Sequence, residues 1–79
     1  LLSIVMRSAQ ANSVWLTVQN HLNIVAVAAL TGVKAIVLCE GIEFSEEVIE
    51  KAKEEKINLY ISNETSYITA GKIYSLGIR

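Results

Sequence analysis

The chain is 79 residues long, 52% hydrophobic, 19% charged and 6% aromatic, with a mean hydropathy of +0.40 and a net charge of -1. That apolar content excludes a disordered tail or a low-complexity segment, and the length allows a single small domain, residues 1–79. Seven basic residues and a pI near 5.7 leave no basic stripe, which argues against nucleic acid as a direct ligand.

Leu1, Leu2, Val5 and Ala9 recur at helical spacing and predict a short helix before the polar turn at residues 10–13. Val14, Leu16 and Val18 then alternate with Trp15 and Thr17, the pattern of a strand over 14–18. A nearly all-apolar, alanine-rich segment follows and predicts a helix over 22–30, buried on more than one side and stopped by Gly32. Residues 34–38 run apolar without alternation, as the interior strand of a parallel sheet does. Ser45 is an N-cap for a surface helix over 46–55, with Glu46 and Glu47 placed to complement its dipole and Glu47–Lys51 as a favourable pair. Residues 57–61 form a third strand nearer an edge, since Asn58 interrupts its apolar run. The last helix carries Tyr67, Ala70, Gly71 and Tyr74 at i, i+3, i+4 and i+7 and ends at Gly77.

Strands alternating with helices predict an α/β fold, a three-layer α/β/α domain with a small, mainly parallel sheet in the order α-β-α-β-α-β-α. The strand within 34–38 is its centre. Three strands are narrow for this architecture, where ~4–6 is usual. A domain this short buries only ~60% of its unfolded surface. So much apolar content must still be hidden, which predicts a homodimer, or contact with a catalytic domain or partner protein. The start on Leu1, with a helix-like segment at once, predicts a piece of a longer or processed protein. No secretory leader is recognisable, and the longest apolar run, residues 24–30, is far short of the ~20 residues of a membrane span. With one unpaired cysteine, the expectation is a soluble cytoplasmic protein that does not engage a membrane.

In open parallel sheets, ligands bind outside the carboxyl ends of the strands, where helix N-termini converge. Three polar turns would form that rim here. The candidate ligand-binding residues are Gln19, Asn20, His21 and Asn23 in the first turn, and Cys39, Glu40 and Gly41 in the second. Ser62, Thr65 and Ser66 complete the set in the third. Helix capping asks for the same residue types and is the simpler reading of all three turns. His21, the single histidine, has no carboxylate beside it, so a turn or cap role is favoured over a general base. Cys39 ends a buried strand, where a small apolar thiol is the ordinary occupant and a nucleophile would need a base. Glu40 and Glu43 read as solvated loop residues rather than cation ligands. Trp15, Tyr67 and Tyr74 read as packing or interface residues rather than a stacking platform. There is no GxGxxG, Walker A or GxSxG, and all eight acids are glutamates. No catalytic residue, metal or cofactor is expected.

The stretch LTVQNHLNIVAVAALTGVKAIVL, followed by CEG, SEEVIEKAKEEKINLYIS and SYITAGKIY, resembles the DRTGG domain over residues 14–77. That module, also seen as the N-terminal domain of HPr kinase-like proteins, takes its name from residues in the first two turns. The family's Gly-Asp-Arg turn falls on Gln19, Asn20 and His21 and its following acid on Asn23, with none of the four kept. Its Thr-Gly-Gly turn falls on Cys39, Glu40 and Gly41, of which Gly41 is kept. Its Thr-Tyr-x-Thr-Ala segment is matched by Ser66, Tyr67, Thr69 and Ala70. The resemblance implies a non-catalytic regulatory or assembly module, three-layered and often dimeric. The three-turn rim is where a small polar or anionic ligand would sit, and the alternative is a purely structural interaction domain that accompanies a catalytic partner.

Overall fold

The computed structural model describes residues 2–78; the parts of the sequence pattern that rest on Leu1 and Arg79 lie outside them. Within them the chain runs α1 (Leu2–Ser8), β1 (Val14–Thr17), α2 (Asn23–Thr31), β2 (Ala35–Leu38), α3 (Glu46–Glu55), β3 (Asn58–Ile61) and α4 (Ser66–Ser75). A radius of gyration of 11.7 Å is that of one close-packed unit of this length, about 12 Å.

The strands form a parallel sheet in the order β1-β2-β3. β2 lies at the centre and is buried along its whole length, as its unbroken apolar run requires. The register places Trp15 beside Ile36 and Ile36 beside Leu59. These three share one face of the sheet, because side chains alternate along a strand. On that face Ile36 joins Ile24, Val25 and Ala28 of α2 and Val48 and Ala52 of α3 in the core. Trp15 and Leu59 pack at its margin, together with Leu2, Ala9 and Phe44. Val14 and Leu16 occupy the other face and line a groove with Ala70, Ile73 and Tyr74 of α4. The three layers are therefore α1, α2 and α3, then the sheet, then α4 alone.

Local chemistry sets the element ends. Thr17 closes β1 one residue before the expected end, because its Oγ1 accepts the Gln19 N–H at 3.1 Å and turns the chain. α2 sits between α1 and α3, so Ile24, Val25, Val27 and Ala28 are buried while Ala26, Ala29 and Leu30 face outward. Its C-cap is Gly32 with φ 80°, where an added Cβ would sit 3.0 Å from the Ala11 Cβ. Ser45 caps α3 by accepting the Val48 N–H, and Thr65 caps α4 by accepting the Ile68 N–H. Lys51 pairs with Glu55 at 3.6 Å rather than with Glu47. Glu47 lies in the first turn, where the helix dipole favours it, and Glu55 lies at the opposite end, where a lysine offsets an unfavourable charge.

α4 departs from its sequence pattern. Ser66 and Ile73 are half-buried and Thr69 is buried, so this line of the helix faces the sheet. The stripe of Tyr67, Ala70, Gly71 and Tyr74 is exposed. A hydroxyl pair, Ser62 Oγ to Thr69 Oγ1 at 2.7 Å, ties the helix to the end of β3.

Candidate functional site

Parallel strands carry all three polar turns to one end of the sheet, and the turns are stitched to one another. The Asn20 side-chain amide donates to the backbone carbonyl of Glu43, joining the first turn to the second. In the second turn, the backbone N–H groups of Glu40 and Gly41 donate to the carbonyls of Glu64 (2.9 Å) and Ser62 (2.8 Å). Ser62 Oγ accepts the Glu64 N–H at 3.1 Å while pairing with Thr69. The rim is continuous, and its polar groups largely answer each other.

The ten candidates fall into different places along it. Gln19, Asn20, His21 and Asn23 line a shallow, open depression together with Leu2 of α1. His21 Nδ1 accepts the Asn23 N–H at 3.2 Å, which makes this histidine a cap for α2, whose N-cap position holds Leu22 and makes no side-chain bond. Glu40 and Gly41 are exposed, both with left-handed backbone at φ 67° and 68°. Cys39 is fully buried beneath them, and its Sγ lies 3.8 Å from the Val37 carbonyl. A ligand arriving from solvent does not meet that thiol. Thr65 is committed to capping, Ser66 is half-buried in the first turn of α4, and Ser62 is held by Thr69 and Glu64. Four of the ten thus share one open depression, Glu40 and Gly41 are exposed on the neighbouring turn, and Ser62 and Thr65 are engaged in hydrogen bonds within the third.

No family model, curated protein or solved structure matches this chain. Among the described residues, no group of three His, Cys or acidic side chains comes together to hold a metal ion. No buried side-chain nitrogen or oxygen among them lacks a hydrogen-bond partner. No helix among them is long and apolar enough to cross a membrane.

A second surface lies away from the turns, at Tyr67 and Tyr74, which the sequence marks as packing or interface residues. Tyr67 is 85% exposed, Leu76 80% and Tyr74 58%, and with Ile68, Ala70 and Gly71 they line a broad concave face along α4. Tyr60 and Ile61 of β3 are exposed nearby in sequence. Scattered exposed apolar residues are ordinary, whereas a contiguous apolar face on a small protein marks an interaction surface. The signal was available in the composition of α4, whose ten residues include a single charged side chain, Lys72. That lysine is held by Glu64 at 2.6 Å, so the face is close to neutral.

Proposed function

We propose that this chain is a non-catalytic regulatory module of the DRTGG type that works by self-association in the cytoplasm. The exposed apolar face of α4 carries this reading: its burial in an assembly would remove Tyr67, Tyr74 and Leu76 from water. The second turn supports the kinship. The family's two glycines fall on Glu40 and Gly41, and both positions have the left-handed backbone that glycine adopts without strain. The cap that His21 makes for α2 and the burial of Cys39 support a non-catalytic reading. The depression of Gln19, Asn20, His21 and Asn23 is the place for a small polar or anionic ligand, with the exposed start of α2 beside it. A catalytic domain or partner protein would then respond to the state of association.

Sedimentation velocity of the chain across a concentration series, with and without inorganic phosphate or adenosine monophosphate, tests this reading. A concentration-dependent dimer is the expected result, and a shift of the dimer fraction by either probe would assign the ligand role to the rim. A monomer at every concentration, unmoved by either compound, contradicts the proposal.

A further inference from the structure

We infer that His21 is a pH-sensitive catch on the first turn of α2, closed while its imidazole is neutral and opened by a proton. The inference depends neither on self-association nor on a ligand at the rim. Leu22 already has helical backbone, with φ -54° and ψ -31°, and its apolar side chain makes no cap bond. The capping task therefore falls to the residue before it. The first turn of α2 closes through bonds from the Ile24 N–H to the His21 carbonyl (3.0 Å) and from the Val25 N–H to the Leu22 carbonyl (3.2 Å). The Asn23 N–H goes instead to His21 Nδ1, at 3.2 Å. That bond needs a lone pair on Nδ1, so the neutral ring carries its proton on Nε2.

A second proton fills that lone pair. Both ring nitrogens of an imidazolium are donors, so Nδ1–H and the Asn23 N–H then face each other with no acceptor between them. The new charge also lies at the positive end of the α2 dipole, which offers it no compensation. His21 is exposed, so solvent protons reach it directly, and histidine is the side chain suited to a charge change between about pH 5 and 8. Leu2, Gln19, Asn20 and Asn23, which share its depression, are uncharged. Asn20 reaches across to the backbone carbonyl of Glu43, and Leu22 lies with Glu46, Glu47, Glu50, Lys51 and Glu54 of α3. Among the described residues none of these charged groups pairs with the imidazole, so the cap bond responds to His21 itself. Because His21 and Asn23 both line the rim depression, its polar surface changes with the state of the catch.

Amide hydrogen exchange at Asn23 in the full chain tests the catch, expressed as protection relative to the unstructured rate at about pH 5 and about pH 8. Far-UV circular dichroism under both conditions confirms folding. In the wild type the Asn23 N–H should be protected about fivefold at the higher pH and close to unprotected at the lower, the span of one capping bond. His21→Asn keeps an acceptor two residues before Asn23 and takes up no proton, so its protection should be equal under the two conditions. His21→Ala should lose the protection under both. Wild-type protection that does not change with pH, or that persists in His21→Ala, overturns the catch. Protection that falls with pH in His21→Asn as well assigns the response to another group and overturns it too.

Discussion

Glu40 and Gly41 share nearly one backbone conformation, with φ 67° and 68°, yet carry opposite side-chain costs. A residue with a Cβ loses roughly 1–2 kcal/mol in the left-handed region, part of it returned through the smaller entropy of its unfolded state. Glu40→Gly should therefore stabilise the fold by about 0.5–1 kcal/mol. Gly41→Ala should destabilise it by about 1–2 kcal/mol, because it adds the same strain and a contact 3.3 Å from Asn63 Oδ1. Thermal melts of the two variants should move in opposite directions, by roughly 4–8 °C per kcal/mol. Equal or like-signed shifts would contradict the assignment of strain to Glu40. At this scale much was legible in the sequence: Ser45 and Thr65 cap as their chemistry suggests, and His21 and Cys39 take the modest roles their neighbours imply. The strain at Glu40 was not, because nothing in a glutamate's chemistry announces a positive φ.

At the scale of elements, periodicity located every helix and strand but did not say which side of α4 faces in. Tyr67, Ala70, Gly71 and Tyr74 have the spacing of a buried stripe, and the competing line of Ser66, Thr69 and Ile73 is more polar. With the polar line facing the sheet, Thr69 finds a hydroxyl partner in Ser62 at the end of β3, and Ile73 is half-buried beside it. The hydroxyl pair links α4 to the end of β3 in this orientation, and helical spacing alone does not reveal such a pair. Thr69→Val keeps the side-chain shape and removes the hydroxyl, so it should cost about 1 kcal/mol. A urea melt with a lower midpoint and an unchanged slope would show this. No loss of stability would mean that the pair does not hold α4 in place.

At the scale of the molecule, the narrow sheet explains both the rim and the apolar face. Two crossovers place α2 and α3 on one side and leave the other to α4, the last element of the fold. One helix buries Ala35 and Val37 but leaves β3 largely open, with Tyr60 56% exposed. The need to cover apolar surface could be argued from composition and length; its location could not, since it depends on how α4 is turned. The most direct test is a dilution series of amide nuclear magnetic resonance spectra. Self-association through α4 predicts shift changes concentrated in residues 66–78, with α3 and the turn at residues 19–23 unmoved. Spectra that do not change on dilution, or changes centred on α3, would contradict it.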